Sequence, residues 1–271
     1  DRSTQTKTDN RTRVLEKNDG IMKQIILETN NLTKTFGALM AVNNFSIEFT
    51  KGIVHAIIGP NGAGKTTLLN LLAGELAPTS GSISFKYRDI THAQPDTISQ
   101  LGLGRSYQKT NIFPQFTCYQ NCWIGAQSRL NTSMRFFRPA AKLIDVKERT
   151  EKALEMVNLS HQSGTIASAI SYGEQRQLEI ATMLATEPEL LLLDEPLAGM
   201  GAEEAQNVIE LLLELAKNQT LILIEHDMDA VFAVADRLTV MVNGSELETG
   251  TVDEIRNSQA VQEAYLGEEG F

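Results

Sequence analysis

The 271-residue sequence carries 24 Lys and Arg against 34 Asp and Glu, giving a net charge of −10 and a pI near 5.0. That balance argues against a general grip on nucleic acid, which needs a basic surface, and no run reaches the ~18 apolar residues of a membrane span. With 42% hydrophobic and 21% charged residues the chain is long enough for one sizeable globular core with attached lobes. Cys118 and Cys122 are the only cysteines. They have no second ligand pair, so they read as ordinary core or surface thiols in a reducing compartment.

Residues 1–22 are polar and mixed in charge, too poor in large apolar groups to order themselves. They are expected to form a tail, and without an apolar core region they do not read as a secretory signal. Strand-like patterns follow in QIILETNNL (24–32) and AVNNFSIEFTKGIVHAII (41–58), the latter turning at Lys51-Gly52. Directly behind the apolar run stands GPNGAGKTTLL (59–69). Its spacing from Gly59 through Gly62, Gly64, Lys65 and Thr66 fits the phosphate-binding P-loop. Glycines let consecutive N–H groups converge on an anion, Lys65 adds a mobile charge, and the Thr66 hydroxyl suits Mg²⁺. The apolar spacing of TLLNLLAGEL predicts a helix whose N-terminus lies under the phosphates.

SGSISFKYRDI (80–90) reads as one further strand. From about 111 to 186 β-branched runs thin out, and helices are predicted at 140–158 and 173–186, so this block reads as a helical insertion. Ser171 and Glu174 have capping-box spacing at the second helix, where Ser171 and Gly173 would also present a hydroxyl and a bare N–H to an anion. After Pro188 the α/β alternation returns in ELLLLDE (189–195), a helix over 202–218, TLILIEHD (220–227) and a helix over 228–236. Asn243-Gly244 then marks a hairpin.

Three apolar runs end in polar groups: one enters the P-loop, one ends in Asp194-Glu195, and one ends in Glu225-His226-Asp227. Continuous Leu and Ile runs suit strands of a parallel sheet buried on both faces. Ligands of such sheets bind beyond the strands' carboxyl ends, so the three clusters are expected to face one crevice. Asp194 has the position of a metal-holding aspartate, and Glu195 that of a carboxylate able to polarise the attacking water. Two acids after a strand also read as a solvated loop start, and a lone His as structural. Their company with a P-loop favours the catalytic reading.

The P-loop, ISYGE before QRQLEIA, LLLLDEP and IEHD together resemble the Walker A, signature, Walker B and switch-histidine motifs of ABC ATPases, over about residues 27–267. The resemblance implies an α/β, P-loop NTPase (RecA-like) fold with an inserted helical subdomain and an antiparallel β subdomain. The ATPase domain would span 23–271, with a RecA-like and β lobe at 23–110 and 187–271 and a helical lobe at 111–186. ATP and Mg²⁺ are implied as ligands, the phosphates resting on Asn61, Gly62, Ala63, Gly64, Lys65, Thr66 and Thr67, and the adenine on Phe36. Thr66, Gln108 and Asp194 would hold the metal, and Lys65, Gln108, Glu195 and His226 would serve catalysis. Ser171, Gly173 and Glu174 would face the nucleotide of a second ATPase subunit, a copy of this chain or a related one.

Within the family, FGALMAVNN, SYGEQRQLEIA, DEPLAGM, IEHDMDAV and TVDEIRNSQAVQEAYLGEE look most like the ATP-binding subunits of branched-chain amino-acid importers. This implies two integral-membrane permease subunits, a periplasmic solute-binding protein, no nucleic acid, and a peripheral place on the cytoplasmic face of the inner membrane. Importers of urea and short amides share much of the pattern, and the ATPase of lipopolysaccharide export shares part of it. A soluble ABC ATPase and a catalytically idle regulator are the readings outside transport. Ile170, Tyr172 and Glu174 depart from the family's LSGGQ, and Gly201 stands where Asp or Asn is usual.

Overall fold

Two β-sheets organise the residues that this computed structural model describes, 24–107, 110–129 and 140–265. The expected tail at 1–22 and the candidate Gln108 lie outside these described residues. Strands β1 (Ile25–Phe36) and β2 (Leu39–Thr50) form an antiparallel hairpin, and β3 (Val54–Ile58) leads into α1 (Lys65–Leu72). Strands β4 (Ser80–Phe85) and β5 (Arg88–Asp89) complete a four-stranded sheet in the order β2-β1-β4-β5. Along β2 the buried residues Phe45, Ile47 and Phe49 alternate with exposed ones, so one face is apolar. That face closes over α1 in a core with Leu27, Phe85, Leu68, Leu69 and Leu72.

The segment 80–90, read from the sequence as one strand, is a hairpin. Ser84 pairs with Asp89 and Phe85 with Arg88, leaving a two-residue turn at Lys86 and Tyr87 with φ of 51° and 61°. A tight hairpin of this kind requires positive φ at both central residues, and here it is built without the Gly or Asn that would have advertised it.

The six-stranded sheet runs β10-β9-β3-β8-β7-β6, from β6 (Leu103–Arg105), β7 (Leu190–Asp194), β8 (Thr220–Ile224), β9 (Arg237–Val242) and β10 (Ser245–Gly250). Only β10 is antiparallel to its neighbour, through the Asn243-Gly244 hairpin anticipated from the sequence. Every residue of β3, β7 and β8 is buried because the sheet is covered on both faces. Val54, Ala56, Leu191, Leu193, Leu221 and Leu223 serve one core, while Ile57, Leu190, Leu192, Ile222 and Ile224 serve the other. Truncating a wholly buried leucine such as Leu193 to Ala would cost about 2–5 kcal/mol.

Short α2 (Pro95–Leu101) precedes β6, and α3 (Cys118–Ser128), α4 (Ala140–Met156) and α5 (Tyr172–Leu184) pack together in the middle of the chain. The last two fall where the sequence predicts helices. Helix α3 was not anticipated, although Thr117 and Gln120 form a reciprocal capping box at its start. Cys118 and Cys122 lie one turn apart on its buried face as free thiols, and burial pushes Cys122 up to about 12. Helix α6 (Ala202–Leu215) lies between β7 and β8, and α7 (Met228–Val234) precedes β9. Among the described residues no helix is long and apolar enough to cross a membrane.

Candidate nucleotide site

Parallel pairing brings the three polar clusters to one edge. Ile57 of β3 lies opposite Ile224 of β8, and Ile224 lies opposite Asp194 of β7. The residues that follow these strands are the P-loop, Glu225-His226 and Glu195, so the three clusters share the carboxyl edge of the sheet.

The loop from Gly59 to Gly64 needs its glycines for space as well as for dihedral angle. Gly64 caps α1 with φ 101°, and a Cβ there would lie 2.1 Å from the Ala41 carbonyl oxygen. At Gly59 a Cβ would approach the Met241 carbonyl oxygen to 2.0 Å. No side chain caps the N-terminus of α1, leaving first-turn N–H groups and the positive end of the helix dipole beside the loop. Lys65 is largely buried and donates from Nζ to the carbonyl oxygens of Gly59 (2.6 Å) and Pro60 (3.1 Å). Asn61 and Thr66 are exposed, Thr67 is half-buried and Ala63 is buried.

Asp194 is 1% exposed, and its Oδ1 has no hydrogen-bond partner among the described residues. Burial raises its carboxyl above the ordinary carboxylate range and Glu195 adds to this, while Arg105, Arg176 and Lys65 oppose the rise. A buried acceptor with an unused oxygen, next to a threonine-bearing phosphate loop, suits a hard divalent cation that takes oxygen ligands.

Glu195 has φ 46°, a left-handed conformation unusual for a residue with a Cβ. Its N–H donates to the Ile224 carbonyl (2.9 Å) and its carbonyl accepts from Arg176 (3.3 Å) and from the Ala198 N–H (3.1 Å). Conformations of this kind cost ~1–3 kcal/mol and persist where surroundings over-determine them. Glu225 is buried and accepts from the N–H groups of Leu197 (2.7 Å) and His226 (3.1 Å), with its carboxyl raised by burial. It thus ties the turn after β7 to the end of β8. His226 projects into solvent with its side chain 66% exposed. Asp227 accepts from the Ala230 N–H and caps α7.

At the start of α5 the capping box read from the sequence is formed: the Glu174 N–H donates to Ser171 Oγ (3.3 Å) and the Ser171 N–H to Glu174 Oε2 (2.8 Å). The Gly173 N–H, expected from the sequence to be bare, instead donates to Glu204 Oε1 of α6 (3.2 Å), and a Cβ on Gly173 would meet the Glu204 Cβ at 2.9 Å. Gly201 begins α6 without a side-chain cap, as expected where Asp or Asn is absent. Phe36 lies at the β1–β2 turn, 46% exposed, with Lys34 Nζ 5.2 Å from its ring centre.

Sequence reasoning missed the buried pair Arg176 and Glu179 on α5. Arg176 donates to the Tyr107 and Asp194 carbonyls as well as to Glu195, and Glu179 accepts from the Tyr107 and Asn111 N–H groups. Their spacing reads as an ordinary helical ion pair, and no local signal discloses the distant partners.

The sheet, the loop and the carboxylates define an α/β ATPase of the P-loop class. The model of the family described as "ABC transporter" matches residues 42–198, and that of "Branched-chain amino acid ATP-binding cassette transporter" matches 247–270. The chain belongs to the ABC transporter family and is one of its ATP-hydrolysing subunits. It is 38% identical to the high-affinity branched-chain amino acid transport ATP-binding protein LivG of Salmonella typhimurium, over 91% of this chain and 100% of the relative. It is 37% identical to BraF of Pseudomonas aeruginosa, a protein of the same description, with the same coverage. A solved ATP-binding cassette of an ABC transporter in its ADP conformation superposes with a TM-score of 0.77 at 33% identity, covering 90% of this chain and 100% of that one.

Proposed function

We propose that this chain hydrolyses ATP to drive a membrane importer of branched-chain amino acids, paired with a second ATPase subunit at the cytoplasmic face of the plasma membrane. Two permease subunits would carry the solute, delivered by a periplasmic binding protein. The observation that carries the hydrolytic reading is the alignment of β3, β8 and β7, whose ends deliver a phosphate loop, an exposed histidine and an acid pair to one edge. The solute class is supported by the LivG and BraF relatives and by the family match at 247–270.

In this reading the amides of residues 61–67 and the start of α1 cradle the phosphates, and the Lys65 ammonium exchanges the Gly59 and Pro60 carbonyls for phosphate oxygens. Phe36 offers its face to the adenine. Asp194 and Thr66, with Gln108, are the residues to hold Mg²⁺, which supplies charge neutralisation at the phosphates when bound. Glu195 accepts the proton of the attacking water, and His226 steadies the γ-phosphate. Ser171, Gly173 and Glu174 face the partner's nucleotide, so ATP joins the two subunits and hydrolysis parts them.

The test is made on the assembly. The complex purified through this subunit is reconstituted in liposomes, and ATP hydrolysis is measured with loaded and unloaded binding protein. Stimulation by Leu, Ile or Val supports the proposal, whereas stimulation by urea or an amide moves the substrate class. Co-purification with lipopolysaccharide-export components overturns the direction of transport.

A further inference from the structure

Among the described residues Arg176 is the largest of the wholly buried side chains, 1% exposed, and every hydrogen bond it makes there is to a carbonyl or a carboxylate. One guanidinium nitrogen donates to the Tyr107 carbonyl and to Glu179 Oε2 (2.5 Å). The other donates to the carbonyls of Asp194 (2.7 Å) and Glu195 (3.3 Å). Glu179, also buried, accepts the Tyr107 N–H (3.2 Å) and the Asn111 N–H (3.3 Å) at Oε1. One pair on α5 therefore grips Tyr107 and Asn111 on one side and, on the other, the main chain at the end of β7, where Asp194 leads into the left-handed Glu195.

We propose that Arg176 and Glu179 are positioning residues, which make the placement of the Asp194–Glu195 acids depend on the seating of α5, Tyr107 and Asn111. The inference rests on Glu195 and Asp194 acting in hydrolysis as described above. Among the described residues the pair hydrogen-bonds main-chain atoms around the acids and none of the phosphate loop, so its influence falls on the chemical step rather than on nucleotide capture. Packing alone does not account for it, because apolar residues of similar volume often hold a buried site at least as well as an ion pair. The fork geometry matters as well: two guanidinium nitrogens serve two segments at once, which a single ammonium cannot do.

The test compares three variants in the full complex purified through this chain: Arg176→Met with Glu179→Leu, Arg176→Lys, and Glu195→Gln as the reference. Thermal denaturation, equilibrium binding of a fluorescent ATP analogue and steady-state hydrolysis are measured on each. For the double variant, positioning predicts a melting temperature within a few degrees of the parent, nucleotide affinity within about threefold, and kcat lowered about tenfold or more with little change in KM. A folded double variant with kcat within about twofold of the parent overturns the proposal, and so does a loss of affinity that accounts for the whole loss of activity. If the double variant does not assemble, Arg176→Lys decides: it keeps the charge beside Glu179, and its kcat should fall about fivefold or more at unchanged affinity, full turnover being the overturning result. Active Glu195→Gln would instead remove the catalytic reading itself, whereas inactive Glu195→Gln beside fully active pair variants would remove only the positioning role.

Discussion

His55, the second residue of the strand that feeds the phosphate loop, should make the stability of the protein steeply pH-dependent. It is 2% exposed, its Nε2 shares a hydrogen bond with Thr239 Oγ1 (2.7 Å), and its ring stands edge-on to Phe49. Its Nδ1 has no hydrogen-bond partner among the described residues. Burial first, and the neighbouring Arg237 charge second, lower its pKa from 6.5 to about 3. A histidine with a depressed folded pKa contributes stability that is present above its unfolded value and is lost as pH falls, because below 6.5 the unfolded chain takes up a proton that the folded one refuses. Between pH 7.5 and pH 5 the loss is about 2 kcal/mol, at 1.36 kcal/mol per unit over roughly one and a half effective units. In a domain of this size that is about 4–8 °C of melting temperature. The assay is urea denaturation of the parent and of His55→Gln at both pH values, so that titration of the carboxylates cancels in the comparison. The parent should lose about 2 kcal/mol more than the variant on acidification. Equal losses would refute the argument and mean that the ring is either protonated in the folded state or reached by water.

Three further outcomes bear on the site. Glu195→Gln should abolish turnover while ATP binding survives, and nucleotide-dependent dimers should accumulate on a sizing column; ordinary phosphate release would remove Glu195 from its role. Ser171→Asp and Ser171→Asn both keep a good helix cap, so both should unfold within about 1 kcal/mol of the parent, yet the Asp variant alone should lose hydrolysis by placing a negative charge against the partner's nucleotide. Full activity in Ser171→Asp would leave Ser171 with the capping role only. Gly64→Ala should abolish binding of a fluorescent ATP analogue, because its Cβ would lie 2.1 Å from a backbone oxygen in a left-handed position; wild-type affinity in that variant would show that the loop can relax.

Much of this site could be read from the chain because it is made of short contiguous pieces with strict local rules. Positive-φ glycines, a lysine and a threonine at fixed spacing behind an apolar run have few other uses, and acids directly after a leucine strand point to the sheet's carboxyl edge. The Asn243-Gly244 turn and the Ser171–Glu174 cap were visible for the same reason, since each is settled within four residues. The family resemblance added Phe36 and Gln108, which no local pattern singles out. Other features arise only when distant segments meet. The Lys86–Tyr87 turn carries no turn residue, and its positive φ values belong to a hairpin that the four-stranded sheet holds in place. Glu225 looked like one more acid beside His226 until folding set it under the Leu197 N–H, 28 residues away. Arg176 and Glu179 have the spacing of an ordinary helical ion pair, and it is burial beside the end of β7, Tyr107 and Asn111 that strips them of water and obliges them to satisfy main-chain groups up to 72 residues away. Local hydrogen-bond and dihedral constraints are written in neighbouring residues, whereas the partners of a desolvated charge are set by which surfaces the packed core brings together.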